Sequence, residues 1–399
     1  MSVMTEIHGE VAPGFEPVRD AFQANFDQHG DVGAAFALYK DGEKVVDLWG
    51  GVANQDTGAA WNEDTLQLVF STTKGATAIC AHLLAQRGDL DFDAPVAEYW
   101  PEFKANGKEN VPVRWLLSHR VGLPVLDSPL TPEEYYAWEP VAQALAAKKP
   151  EWEPGTKHGY HAVTYGNLVG EVVKRISGKS LGTFFRENVA EPLGLDFWIG
   201  LPASEEPRVT KLISFQLGAT EEQRSMFKDF DISALPEEMR PIVQAFMDPN
   251  SLSNRALTGV TQPAMDFNSR ANHAAEIPAA NGITTARSLA KMYAAQIGEV
   301  DGVRLMNDET VANAIVEQSN GPDAVLMIPT RFGLGFFLES DFSPLFGPRS
   351  FGHAGAGGSL GFADPDAGIG YGYVMNKMST NLSGDPRTIG LVDAIKSCL

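Results

Sequence analysis

The spacing of apolar and polar positions changes character twice along the chain. It predicts a helix over Phe15–His29, followed by two β-prone runs, Val32–Tyr39 and Lys44–Trp49, on either side of Lys40-Asp41-Gly42-Glu43. An Asp-Gly pair between such runs is a hairpin signal, because both central residues of a type I′ turn need positive φ. A further extended run, Thr65–Phe70, leads into Ser71-Thr72-Thr73-Lys74. Gly75–Gln86 is alanine-rich, apolar at helical spacing and stopped by Gly88. Ser71 therefore falls at a strand-to-helix junction.

From about residue 89 to 290 the pattern is mainly helical, with helices expected over Val113–His119, Thr131–Lys148, Thr164–Ile176 and Ala286–Ile297 and a less regular stretch from 200 to 280. The last third switches to short strands between glycine turns, Phe332–Glu339, Ser350–Ala354, Ser359–Ala363 and Gly370–Met375, before a terminal helix over Thr388–Ser397. Strands at both ends of a helical middle predict one sheet assembled from distant segments. The expected fold class is α+β: an antiparallel sheet flanked by helices, formed by residues 1–75 and 290–399, with a mainly helical domain inserted at 76–289 and a cleft between them. A chain of 399 residues is also longer than the roughly 250–300 residues at which single cores tend to split.

Composition narrows the partners. A net charge of −20, spread along the chain, repels phosphate and disfavours nucleic acid and anionic membrane surfaces. No stretch approaches the roughly 18 apolar residues of a membrane span, and the N-terminus lacks a basic segment followed by an apolar one, so a soluble, cytoplasmic protein is the expectation. Cys80 and Cys398 are the only two cysteines, neither a disulfide framework nor a metal-ligand cluster. Oligomeric state is not readable from these features.

Two serines sit in nucleophile-like settings. In Ser71-Thr72-Thr73-Lys74, residues three apart on a helix share a side, which brings the Lys74 amine within reach of the Ser71 hydroxyl. A lysine can act as a base once burial or a neighbouring positive charge lowers its pKa. A serine that opens a helix is also an ordinary cap, so the spacing alone does not decide. The second candidate, Gly357-Gly358-Ser359-Leu360-Gly361, matches the G-x-S-x-G elbow, but that chemistry needs a following helix and a later histidine. Ser359 instead precedes a strand pattern, and the last histidine is His353, so Ser359 is read as a decoy.

Phe70-Ser71-Thr72-Thr73-Lys74-Gly75, the segment Leu116–Leu123 and Pro154-Gly155-Thr156 through Gly166 carry a resemblance in the expected order over roughly residues 15–399. The sequence resembles the class C β-lactamase-like serine hydrolases, specifically the family VIII carboxylesterases. The resemblance implies a two-domain fold, a covalent acyl-enzyme, and neither metal nor organic cofactor. It implies Ser71 as nucleophile, with Lys74 and Tyr160 as its acid-base partners. By the same match His353-Ala354-Gly355 stands at the Lys-Thr-Gly element, and the Ser71 and Ala356 N–H groups would form the oxyanion hole. His353 and Gly355 would then bind substrate. Two departures, Ala162 in place of an asparagine and His353 in place of a lysine, remove expected β-lactam contacts and favour plain esters.

The expected activity is therefore hydrolysis of a small-molecule ester with a short- to medium-chain acyl group. The alternatives are a β-lactamase, D-amino-acid peptidase or acyltransferase of the same fold, or a silent binding protein. Trp152, Trp138, Tyr135 and Phe336 are candidates for an apolar acyl pocket, with core packing as the competing role. His119 and His161 are read as structural.

Overall fold

The computed structural model describes residues 4–214, 240–381 and 383–399. Its main sheet has the strand order β1-β3-β2-β13-β12-β11-β10-β9-β8, every neighbouring pair antiparallel. β1 (Ile7–Val11), β2 (Gly33–Lys40) and β3 (Glu43–Asn54) come from the start of the chain, with β4 (Ala59–Ala60) paired to β3. β8 (Ser319–Pro322), β9 (Pro329–Phe332), β10 (Phe337–Leu338), β11 (Phe351–Ala354), β12 (Leu360–Asp364) and β13 (Ile369–Met375) come from its end. The two groups join where β13 pairs with β2. A small second sheet, β5-β7-β6, links Gln67–Leu68 (β5), Ile283–Thr284 (β7) and Phe197–Trp198 (β6). Among the described residues no helix is long and apolar enough to cross a membrane.

The β2–β3 hairpin turns at Asp41 and Gly42, both at positive φ (51° and 85°), as its Asp-Gly pair requires. β13 is buried along its whole length because both faces are covered. Ile369, Tyr371, Tyr373 and Met375 face one core with helix α1 (Glu16–Asp27) and helix Pro386–Cys398. The alternate positions face helix Ala286–Ile297, and there the strand carries glycine for close approach: a Cβ at Gly370 would lie 2.5 Å from the Ala290 carbonyl oxygen.

The long periodic helices lie within a few residues of their expected bounds, including α2, Thr73–Gln86, whose residues are buried from Thr73 through Leu84. A helix apolar on every side belongs in the interior. The shorter expectations break where the backbone turns left-handed. Thr131–Lys148 is two helices, Pro132–Tyr136 and Glu139–Ala147, separated at Trp138 with φ 69°. Val113–His119 yields only the single turn Arg114–Leu117 and ends at His119, φ 61°. Phe332–Glu339 is interrupted between β9 and β10, where Gly335, φ 88°, brings its backbone against Ala78. β1 and β8 had no expected counterpart. In the irregular 200–280 stretch the described part holds helices Arg240–Met247, Leu252–Thr258 and Arg270–Ala274, and positions 215–239 lie outside the described residues. The expected division at 75/76 and 289/290 falls inside α2 and inside helix Ala286–Ile297, each of which runs unbroken through it.

Candidate active site

The turn before α2 is built by its own hydroxyls. Val69 N donates to Gly282 O (2.9 Å), Gly282 N donates to Thr73 Oγ1 (2.8 Å), and Thr73 Oγ1 donates to Phe70 O (2.5 Å). The cost of holding Phe70 at φ 44°, unusual for a bulky residue, is met by these bonds. The reversal leaves Ser71 partly exposed while Thr72, Thr73 and Lys74 are fully buried.

Lys74 Nζ lies 3.0 Å from Ser71 Oγ, and it donates to Ala162 O (2.6 Å) and Ala279 O (3.0 Å). Among the described residues it forms no ion pair with a carboxylate, and burial alone drives its pKa well below that of an ordinary lysine. A neutral amine has two protons; with both directed at carbonyl acceptors, its lone pair is left for the Ser71 hydroxyl. The amine also lies 4.8 Å from the centroid of the Tyr160 ring.

Tyr160 is buried, and its hydroxyl lies close enough to the Ser71 side chain to interact with it. Burial raises its pKa, partly offset by the Ser71 side chain, so the phenol is protonated at neutral pH. Its ring stacks with Phe332 and Phe337 and sits 5.0 Å from His119. His161 Nδ1 donates to Gly159 O (2.7 Å) while its Nε2 accepts from Leu123 N (2.9 Å), a pairing possible only for a neutral ring. Burial pushes its pKa down to about 3, and pushes those of His119 and His353 down as well.

Asp323 belongs to none of the sequence motifs. Its fully buried carboxylate accepts from Tyr160 N (2.9 Å), Val325 N (2.8 Å), Leu326 N (2.8 Å) and Thr330 Oγ1 (3.1 Å), fixing the Tyr160 backbone to the β8–β9 loop. The one local signal is an aspartate in a Gly-Pro-Asp turn, a type that commonly bonds the amides just after it. Removing the carboxylate leaves three buried N–H groups without an acceptor. Asp323→Ala is expected to cost about 3 kcal/mol or more of stability, and Asp323→Asn, which keeps one acceptor oxygen, clearly less. Urea unfolding of the two variants checks the order; equal, small losses would remove Asp323 from this role.

Ser71 N and Ala356 N donate to no acceptor among the described residues, and both residues line one cavity of about 310 Å³. Gly355 lets the two approach: a Cβ there would lie 2.2 Å from Val69 O and 2.3 Å from Ser359 Oγ. From this segment Ala354 and Ala356 line the cavity, and Gly355 and His353 do not. His353 is buried against Phe337 (ring centroids 4.5 Å apart), donates from Nδ1 to Ala354 O (2.7 Å), and its Nε2 has no partner among the described residues. Ser359 is buried too, donating to Val69 O (2.9 Å) and lying 3.0 Å from Thr72 Oγ1, which ties the Ser71 turn to β12.

The apolar walls are Phe70, Phe246, Leu257, Phe267, Leu326, Phe337 and Phe342, with Val163 and Ala280. None of the four aromatic candidates from the sequence lines this cavity. Trp138 donates to Glu171 (2.6 Å), Tyr135 bonds Asn167, Trp152 packs over Gly122 and Gly159, and Phe336 stacks on His82. Tyr135, Trp152 and Phe336 are buried, and Trp138 packs against the core from its edge.

An antiparallel sheet of this topology, with a Ser-x-x-Lys pair opening a buried helix beside it, defines a β-lactamase/transpeptidase-like serine hydrolase fold. The chain belongs to the beta-lactamase family, whose model matches residues 18–394. It is similar to the esterase/beta-lactamase LipL of Mycobacterium tuberculosis, 36% identical over 391 residues that cover 94% of this chain and 84% of the relative. Among solved structures it resembles a family VIII carboxylesterase, with 40% identity, TM-score 0.84, and 99% of this chain and 100% of that one covered. It likewise resembles EstA from Arthrobacter nitroguajacolicus Rue61a, with 34% identity, TM-score 0.84, and 98% and 97% covered.

Proposed function

We propose that this enzyme hydrolyses carboxylic esters through an acyl-enzyme on Ser71. The observation that carries the proposal is the buried Lys74 amine 3.0 Å from Ser71 Oγ, with two carbonyls taking its other hydrogen bonds. Lys74 removes the Ser71 proton as the hydroxyl oxygen attacks the ester carbonyl. The oxygen that becomes negative is held by Ser71 N–H and Ala356 N–H, donors of a kind worth about 2.7–4 kcal/mol each. As the carbon–oxygen bond to the alcohol breaks, the Tyr160 hydroxyl protonates the leaving oxygen and recovers its proton from the Lys74 ammonium. Water then attacks the acyl-enzyme, giving up its proton through the same pair, and Ser71 leaves with the carboxylic acid released.

The cavity lining supports neutral, apolar esters. Among the described residues its lining holds no charged side chain, so a β-lactam carboxylate would find no cationic partner there. Ala162, whose carbonyl binds Lys74, offers no side-chain donor to an amide. The names of the relatives, esterase/beta-lactamase and family VIII carboxylesterase, point the same way. The same reading takes small-molecule esters as partners and the cytoplasm as the place of action, with the charge of −20 disfavouring nucleic acid.

The test combines labelling with substrate comparison. A fluorophosphonate probe is expected to add to Ser71, located by peptide mass spectrometry, and p-nitrophenyl butyrate to be cleaved with kcat/KM at least about 100-fold above nitrocefin, a gap typical of lost hydrogen-bonding partners. Comparable nitrocefin turnover would move the assignment to β-lactamase, and an unlabelled, inert protein would point to a binding role.

A further inference from the structure

We infer that Arg387 is a positioning residue for the oxyanion hole, a buried guanidinium clamp on the turn that presents Ala356 N–H. The inference rests on the reading of Ala356 given above. The turn Gly355–Gly358 is closed by Gly358 N donating to Gly355 O (3.1 Å), with Gly357 at φ 89°, the arrangement of a type II turn with Ala356 at its second position. Its inner side faces the cavity at Ala356. Its outer side is held at one atom, Gly357 O, which accepts from Ser379 N (2.9 Å) and from Arg387 Nη2 (2.5 Å).

Arg387 spends its other donors on fixing itself. Nε and Nη2 reach Asp385 Oδ1 (2.9 Å) and Oδ2 (2.7 Å), and Nη1 reaches Asp31 Oδ1 (2.7 Å) and Lys377 O (3.0 Å). With Gly357 O, these acceptors use all five N–H groups of a planar guanidinium. Asp31 precedes β2, and its second oxygen accepts from Tyr373 Oη of β13; Asp385 caps helix Pro386–Cys398 and accepts from Ser379 Oγ (2.6 Å). The clamp thus refers the turn to the start of the chain, the sheet and the terminal helix together. Gly358 passes so close that a Cβ would lie 2.2 Å from Arg387 Nη2. Arg387 itself is buried and does not line the cavity, so it acts through the turn and not on substrate. A lysine would supply a charge but not the two-sided fork that reaches Gly357 O while paired to Asp385.

The test compares Arg387→Lys, Asp31→Asn and Ala356→Pro, which deletes the donor at a turn position that favours proline. Each is assayed on p-nitrophenyl butyrate and on the matched thionoester, whose sulfur accepts hydrogen bonds poorly. For Arg387→Lys we expect kcat to fall about 10- to 100-fold with KM little changed, Ser71 still labelled by fluorophosphonate, and the ester-to-thionoester rate ratio reduced. Added to Ala356→Pro, Arg387→Lys should cost little more, because the donor it positions is already gone. Asp31→Asn should give the same signature more weakly, and keeps the test open should Arg387→Lys not fold. Folded variants of Arg387 and Asp31 with wild-type kcat and ratio, or an Arg387→Lys loss of equal size in the Ala356→Pro background, would overturn the clamp. A wild-type ratio in Ala356→Pro would instead overturn the assignment of Ala356 as donor, and the clamp with it; Ser71 labelling reports on the nucleophile separately.

Discussion

Ser71→Ala is expected to lower p-nitrophenyl butyrate turnover by about 10⁶-fold, to the level left by binding and the oxyanion donors alone, and to abolish fluorophosphonate labelling. The expectation follows from geometry: the Ser71 hydroxyl is the one that meets both the Lys74 amine and the Tyr160 hydroxyl, and it opens on the cavity. Ser359→Ala should behave differently. Its hydroxyl is buried between Val69 O and Thr72 Oγ1, so its loss costs about 1–2 kcal/mol of stability and at most a modest change in rate as the Ser71 turn loosens. Steady-state kinetics with mass spectrometry of the probe adduct separates the two. Full turnover by Ser71→Ala, or a Ser359 adduct, would sink the mechanism.

Lys74→Met is expected to lose about 10³- to 10⁴-fold in kcat, the usual share of a positioned general base. It should also remove the acid limb of the pH profile. Burial depresses the Lys74 pKa, and in the proposed mechanism the neutral amine is the working form, so wild-type activity is expected to be lost as pH falls through that depressed value and to be fully present above it. The neighbouring histidines do not supply this limb, since His119, His161 and His353 are held neutral well below the ordinary histidine range. The same group affects stability. Between its depressed folded pKa and the ordinary value of 10.5, the unfolded chain binds more protons than the native one, so this contribution makes stability rise with pH. Lys74→Met should flatten that slope. A wild-type acid limb near pH 10, with no change of slope in the variant, would show that Lys74 is not a desolvated base.

Much of the reactive pair was legible in the sequence because its geometry is local. The single turn Ser71–Lys74 that leads into the helix, closed by Lys74 N donating to Ser71 O (2.9 Å), fixes the approach of Lys74 to Ser71, and the Asp-Gly hairpin, the glycine-spaced strands and the long periodic helices are likewise set by spacing and backbone preference. Ser359 could be dismissed for the same reason, since a strand follows it. Tyr160 was identified by resemblance and not by spacing. What brings it to Ser71, 89 positions earlier in the chain, is the Asp323 carboxylate and the packing of Phe332 and Phe337, contacts between segments that no periodicity relates.

The cavity walls were the least legible part. Phe246, Phe267, Phe337 and Phe342 line it while Trp138, Trp152, Tyr135 and Phe336 do not, and nothing in the local pattern distinguishes the two sets. An apolar position signals that a side chain leaves water, a preference of nearly the same size against any apolar neighbour. By itself, then, the sequence determined the Ser71–Lys74 spacing, the broad succession of strands and helices and the acidic character of the chain. Tertiary structure decided which aromatic rings line the cavity and how Tyr160, Ala356 and Ser71 come to share it. Those outcomes depend on directional hydrogen bonds and close packing between distant segments, and become definite only when the sheet and helices dock.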